Sequence, residues 1–150
     1  MNLWKDPPIA KVYEALSALA DGRVLLNEGN RAAVTSSNHD KTYSVAWTDG
    51  FASMSSNDNA SFWQGYAGYP IVAVLLAAGA IPYDASLAQE LAGVEWNKLN
   101  KEYKRDYDKA VDSVLGKIDA RGGHRDAIVA MVQKIYADLT SMEIEKARSK

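Results

Sequence analysis

The stretch of sequence that decides the fold spans residues 55–83 and reads SSNDNASFWQGYAGYPIVAVLLAAGAIPY. Asp58 is its only charged residue. A helix over residues 59–78 would be apolar on every side, which is typical of a helix inside a protein. Because proline within a helix removes a hydrogen bond and clashes with the preceding turn, Pro70 predicts a kink, or two helices that meet near Tyr69.

The same stretch favours a protein core over a membrane. Its strongly apolar part, residues 71–81, is much shorter than the roughly 20 residues that cross a bilayer. We therefore expect a buried helix and no membrane partner. The side chains predicted to be buried are Ile71, Val74, Leu75 and Ala78.

Composition excludes several classes of protein. A chain of 150 residues with 47% apolar and 24% charged residues predicts one globular domain over residues 1–150. A net charge of −2 argues against nucleic-acid binding, which needs a basic surface. The chain has no cysteine, so thiolate metal sites and cysteine nucleophiles are excluded. The polar N-terminus lacks the apolar run of a signal peptide, and a cytoplasmic location is expected.

Upstream of the apolar stretch, the pattern predicts a helix and then a small sheet. Asp6, followed by two prolines, is a typical helix start, and apolar residues then recur at helical spacing as far as Leu19. Lys11, Glu14 and Ser17 fall on the opposite side. The expected element is an amphipathic helix of about 14 residues, packed on one face.

From residue 23 to residue 56 the apolar period changes to two, which predicts a four-stranded antiparallel meander. The dipeptides Gly29-Asn30, His39-Asp40 and Asp49-Gly50 fit two-residue hairpin loops. Such loops fix one register across the sheet. The register pairs Leu25 with Val34, Val34 with Val45, and Val45 with Met54.

Downstream of the apolar stretch, the spacing is helical again. Apolar residues from Trp96 to Ile118 predict one helix of about 25 residues, closed by Gly122-Gly123. A further helix of about 20 residues then completes an antiparallel αα-hairpin. Residues 145–150 are charged and are expected to fray. The predicted fold class is α+β, with the meander covered by helices.

The predicted register brings polar side chains together at one end of the sheet. Here the central helix would begin, and its free backbone N–H groups favour an anion. Asp40 and Asp58 bring negative charge to the same place and fit turn and cap positions, or ligands of a divalent ion. Ser, Asn and Asp are also common in turns for local reasons, and that interpretation stays open. The candidate ligand-binding residues are Arg23, Ser36, His39, Ser56, Asn57 and Trp63.

No sequence motif indicates a catalytic or metal-binding site. His39 beside Ser36 or Ser55 would be a conceivable base and nucleophile, but no nucleophile-elbow sequence accompanies it. His124 is the other histidine, and the spacing matches no zinc pattern. We predict no catalytic residue, no metal site and no cofactor.

Two further groups of residues have both a structural and a functional interpretation. Trp63, Tyr66 and Tyr69 are core aromatics or one wall of a pocket beside the polar end. Cations on the predicted long helix alternate with acids, which is typical of a solvated face. They are Lys98, Lys101, Arg105 and Lys109.

The sequence therefore favours a non-enzymatic binding or interaction module, with a homodimer as a possible assembly. The apolar width of the C-terminal hairpin, at Trp96, Tyr103 and Tyr107, motivates the dimer. The alternative is a small enzyme or sensor that binds an anionic metabolite at the polar end of the sheet.

Overall fold

The computed structural model describes residues 2–147 and has the predicted α+β class. Its helices and strands follow one another along the chain as α1 (Ala10–Ala20), β1 (Val24–Asn27), β2 (Arg31–Thr35), β3 (Thr42–Trp47), β4 (Ser53–Ser56), α2 (Tyr69–Ala77), α3 (Ala85–Ala88), α4 (Trp96–Glu102), α5 (Tyr107–Ala120), α6 (Arg125–Ser141) and β5 (Glu145–Lys146). Short 3₁₀ turns occupy Asp49–Phe51 and Gln89–Leu91, and a π turn occupies Ala60–Gln64.

The sheet contains the predicted meander and one additional strand. The strand order is β1-β2-β3-β4-β5, in which the first four strands are antiparallel and β5 lies parallel to β4. The expectation of a frayed tail is wrong for Glu145 and Lys146, which pair with Ser53 and Met54. The rest of that prediction, residues 148–150, lies outside the described residues.

The predicted register is wrong, although most of its residues lie on the expected face. Val34 pairs with Tyr43, and Met54 pairs with Trp47. Both pairings are displaced by two residues, so Val34, Val45 and Met54 still point into the core. A displacement by two residues preserves the face, because side chains alternate with a period of two.

Longer loops explain the shift. The β2–β3 loop is two residues longer than the predicted two-residue loop. Ser36 and Lys41 close it, with Ser36 N donating to Lys41 O at 2.8 Å. In the β1–β2 loop one extra residue is inserted, since Asn27 pairs with Arg31. An insertion of one residue reverses the face. Leu25, expected inside, is consequently 62% exposed.

At the centre of the fold, α1 and α2 lie against each other. The predicted burial of Ile71, Val74 and Leu75 in α2 is confirmed, whereas Ala78 lies just beyond the helix and is exposed. The helical stretch is divided, as Pro70 indicated: the π turn ends at Gly65, which has a left-handed backbone, and α2 starts at Tyr69.

The prediction that α1 packs on one face is wrong. Lys11, Glu14 and Ser17 are buried together with the apolar residues of the helix. Ser17 Oγ donates to the carbonyl of Leu91 at 2.7 Å and accepts from Trp96 Nε1 at 2.8 Å. The helices that follow α2 thus cover the side of α1 that was expected to face water.

The C-terminal helical hairpin is confirmed as α5 and α6, but its predicted first helix of about 25 residues is divided into α4 and α5. The chain leaves α4 after Glu102 and restarts at Tyr107. Asp106 caps α5, since its carboxylate accepts from the backbone N–H of Lys109 at 3.2 Å. A side chain that satisfies a free N–H at a helix start stabilises that start.

Candidate functional site

A cleft of about 820 Å³ opens between the sheet and the helices. Its walls come from α1, the β2–β3 loop, the segment from Asp58 to Tyr69, and the α4–α5 region. We call it the central cleft. Its volume lies in the range of small-molecule sites, roughly 300–1,000 Å³. Asn97 N donates to Ser37 Oγ at 3.2 Å, and this bond ties α4 to the β2–β3 loop across the rim.

The α1 wall of the central cleft carries a buried ion pair. Lys11 Nζ lies 2.9 Å from Glu14 Oε2, and the two side chains are 9% and 5% exposed. Lys11 Nζ also lies 4.4 Å from the centroid of the Tyr107 ring. Burial of a charge is costly unless a partner compensates it, so each member of this pair requires the other.

Four tyrosines line the same cleft: Tyr43, Tyr66, Tyr69 and Tyr107. Burial raises the pKa of Tyr66, and the neighbouring Tyr107 raises it further. Burial likewise raises the pKa of Tyr69, with a smaller contribution from Tyr43, whose ring meets Tyr69 edge-on at 6.3 Å. The pKa of Tyr43 is also raised, chiefly by burial. Tyr43, Tyr66 and Tyr69 are therefore neutral hydroxyl groups at physiological pH, able to donate hydrogen bonds.

Positive charge is concentrated at the rim. The lining cations outside the Lys11–Glu14 pair are Lys41, Lys101, Lys104 and Arg105. Within residues 2–147, none of the four takes part in an ion pair. The opposing carboxylates in the lining are Asp40 and Asp58. Four cations against these two carboxylates leave the rim with a surplus of positive charge.

Two of these cations have an unusual backbone. Lys104 and Arg105 have φ angles of 51° and 65°, in the left-handed region that favours glycine. Each such residue costs roughly 1–2 kcal/mol relative to a right-handed conformation. Strained residues of this kind are frequent at functional sites. The break between α4 and α5 therefore places two cations at the cleft at an energetic cost.

A polar cluster supports the opposite wall. Asp58 is 4% exposed, and its carboxylate accepts hydrogen bonds from Ser56 Oγ, from Ser61 N at 3.1 Å and from Ser61 Oγ at 2.7 Å. Gly68 N donates to Ser61 Oγ at 3.1 Å. A Cβ atom at Gly68 would lie 2.1 Å from Asp58 Oδ2, so only glycine fits at this position. The cluster fixes the π turn that carries Phe62 and Trp63.

The residues predicted for the site are distributed differently from the expectation. Trp63 lines the central cleft and is 74% exposed. His39 is exposed in its turn, between the lining residues Asn38 and Asp40. Ser36 and Ser56 are buried, and their hydroxyls serve turns: Ser36 Oγ accepts from Lys41 N at 3.0 Å, and Ser56 Oγ donates to Asp58. These bonds are those of turn and cap residues.

Asn57 and Arg23 also lie outside the cleft lining. Asn57 Oδ1 accepts from Ser44 N at 2.9 Å, which joins the end of β4 to β3. Arg23 is 5% exposed and donates through Nη1 to Thr35 O at 2.7 Å and through Nε to Asp21 at 3.2 Å. The bland alternative, in which polar residues at this end of the sheet hold the backbone, accounts for each of these contacts.

Sequence reasoning missed most of the cleft. The sequence pattern predicts a solvent face for Lys11 and Glu14 and an ion-paired surface for Lys101 and Arg105. All four residues line the cleft instead. The available signal was the recurrence of tyrosine, at Tyr66 and Tyr69 within residues 55–83 and at Tyr103 and Tyr107 on the predicted long helix. It could not show which of these rings would meet.

Two kinds of feature are absent from the part of the chain that the structure describes. Over residues 2–147, no three His, Asp or Glu side chains form a group able to hold a metal ion. No helix in that range has the length and apolarity to cross a membrane.

The fold and the cleft together define an α+β domain with a large polar cleft between a meander and a helical layer. A family model matches residues 4–145, and the chain belongs to that family, described as uncharacterised conserved protein UCP014422. No curated protein matches the chain, and no solved structure matches it.

Proposed function

We propose that this protein is a non-enzymatic binding module that takes up a small anionic ligand in the central cleft. The observation that carries the proposal is the surplus of positive charge at the rim. Lys41, Lys101, Lys104 and Arg105 face a cleft of ligand size without ion-pair partners in residues 2–147. Cations in a cleft attract anions and focus their approach.

The tyrosines support binding over catalysis. A general base works best when its pKa is near the working pH. The pKa values of Tyr43, Tyr66 and Tyr69 are raised, away from neutrality. Their hydroxyls are suited to donating hydrogen bonds to a bound anion rather than to abstracting protons.

The proposal is tested by titrating inorganic phosphate and citrate while following backbone amides by NMR. We expect shifts at residues 101–107 that shrink as salt rises, because salt screens exposed charges. The double variant Lys104→Ala/Arg105→Ala should lose most of the binding. The matched control, Lys98→Ala/Lys117→Ala, removes two exposed cations that do not line the cleft. Equal binding by the two variants would refute the proposal.

A second candidate, a sensor or small enzyme that binds an anionic metabolite at the polar end of the sheet, has one observation in its favour. Arg23 Nη2 is buried and has no hydrogen-bond partner within residues 2–147. The variant Arg23→Ala separates the two candidates, because Arg23 does not line the central cleft. An anion at the end of the sheet would be lost in that variant, whereas an anion in the central cleft would still bind.

We also propose a homodimer, but through a surface other than the one that the sequence suggests. Trp96 is buried within the monomer, and Tyr103 and Tyr107 pack against the core. Exposed apolar side chains lie instead at Leu25 and Leu26 on the edge strand β1. An unpaired edge is a template for strand addition, and we therefore propose β1 as the dimer surface. Sedimentation of Leu25→Lys beside the unaltered chain tests this.

A further inference from the structure

We propose that the ligand of the central cleft carries a planar, N–H-bearing heterocyclic ring beside its anionic group, the chemistry of a nucleotide. This inference rests on the proposed function and names the ligand class for the same site. It is carried by two features that the anion does not use: an exposed aromatic wall at Trp63 and a buried, unpaired acceptor at Asn100.

The aromatic wall is exposed and well supported. Phe62 and Trp63 are 67% and 74% exposed, and their rings meet edge to face with centroids 4.7 Å apart. The turn beneath them is fixed by the bonds of Asp58 and Ser61. Isolated apolar residues on a surface are common, but Trp63 belongs to an exposed aromatic pair and itself lines a cleft of ligand size. Trp63 offers a flat face on which a planar ring can stack.

The unpaired acceptor lies on α4. Asn100 lines the central cleft, and its Oδ1 atom is buried without a donor within residues 2–147. A buried polar atom that lacks a hydrogen bond is costly, and the cost is removed when a ligand supplies the partner. An oxygen acceptor requires an N–H or O–H group on that ligand. Asparagine amides recognise nucleobase edges in this way.

The two features belong to one ligand because of their positions. Lys101 follows Asn100 directly on α4, and Lys104 and Arg105 follow at the next turn of chain, all in the lining of the cleft. A group bound to Asn100 therefore lies next to the cations, and Trp63 borders the same space. A ring edge at Asn100, a ring face on Trp63 and a phosphate at the rim cations together describe a nucleoside monophosphate.

The experiment compares adenosine 5′-monophosphate, guanosine 5′-monophosphate, cytidine 5′-monophosphate, adenosine and inorganic phosphate by calorimetry at low salt. Base stacking on an aromatic side chain is worth enough to strengthen binding by about tenfold or more. We expect at least one nucleotide to bind about tenfold more tightly than phosphate. Trp63→Leu should remove that advantage and leave phosphate binding unchanged. Leu25→Ala, at an exposed apolar position away from the cleft, is the control.

A second measurement uses the unaltered protein, in which the indole N–H signal of Trp63 should move with the nucleotide and stay in place with phosphate. If all nucleotides bind no more tightly than phosphate, the ring site is wrong while the anion site stands. If neither phosphate nor any nucleotide binds, both the ring site and the proposed function are wrong.

Discussion

The helices α1 and α2 lie side by side at the centre of the molecule and are equally buried, yet they are buried for different reasons. From Pro70 to Leu76, α2 presents only apolar side chains to its neighbours. The equally buried α1 carries three polar residues, Lys11, Glu14 and Ser17, and each is less than 8% exposed. The comparison teaches that buried apolar side chains form a core without specific partners. Buried polar side chains each require a hydrogen-bond or ion-pair partner, and at Lys11 and Glu14 they form the wall of a cleft.

The largest effect should come from the apolar side of the comparison. Leu75 is fully buried, so Leu75→Ala leaves a cavity and should lower the free energy of unfolding by about 2–5 kcal/mol. Ala78, in the same stretch but exposed, provides the control: Ala78→Ser should change stability by less than about 0.5 kcal/mol. Urea denaturation measures both. A similar result for the two variants would mean that α2 is not the core element.

The second-largest loss of stability is expected at the buried ion pair of α1, where single and double variants should differ. Glu14→Gln leaves Lys11 buried without a countercharge, and we expect a loss of roughly 3 kcal/mol in the free energy of unfolding. The double variant Lys11→Met/Glu14→Leu removes both charges and should recover most of that loss, because buried ion pairs are often replaceable by apolar residues. A double variant as unstable as the single one would show that the pair contributes to stability beyond the mutual compensation of its two charges.

A solvent-side carboxylate sharpens the contrast. Glu90 accepts from the backbone N–H and the ring Nδ1 of His124, both at 2.8 Å, and the backbone bond is the main cause of its lowered pKa. A lowered folded-state pKa means stability that is present above the usual pKa of about 4.5 and is lost as pH falls through the folded value. We expect Glu90→Gln to be less stable than the unaltered chain at pH 7, by a smaller amount than Glu14→Gln.

The pH profile provides the check on that prediction. The difference between Glu90→Gln and the unaltered protein should shrink when thermal melts are run at progressively lower pH, below about 4.5. A difference that stays constant down to pH 3 would show that the Glu90 charge does not contribute.

The smallest effect is expected at the strained rim. Lys104→Gly relieves a left-handed backbone but adds freedom to the unfolded chain, so we expect a gain of about 0.5 kcal/mol at most. The same change should weaken anion binding, because it removes a cleft cation. A control at Lys117, which lies inside α5, should instead lose stability when changed to glycine. A Lys104→Gly variant that is much less stable would mean that its side chain supports the fold.

How much of this the sequence could predict depends on whether a signal is local. The apolar stretch identified α2 because composition alone requires burial, and Pro70 marked its start. Turn dipeptides located the hairpins, but not the extra loop residues. Those depend on Ser36, whose hydroxyl accepts from the backbone of Asp40 and Lys41, and on Phe51 with its φ of 58°.

The cleft was harder to predict because it is made by contacts between distant segments. Helical periodicity places Lys11 and Glu14 in water, since a single sequence cannot show that Tyr107 of α5 will lie over Lys11. The same periodicity runs through Leu99, Tyr103 and Tyr107 without interruption, so it concealed the break at Lys104 and Arg105. Asp106 was the local cue, as a typical helix cap within an apparently continuous helix.

The parallel pairing of β5 with β4 has a consequence for the order in which the molecule is completed. Residues 53–56 are synthesised long before residues 145–146, and their outer edge stays unpaired in the interval. The segment at β5 also joins residues 2–4 to residues 144–146, with Lys146 N donating to Asn2 O at 2.8 Å and Trp4 N donating to Ile144 O at 3.0 Å. On the ribosome, the β4 edge of the meander therefore stays unpaired until nearly the whole described chain has emerged. An open strand edge is where nascent chains associate wrongly.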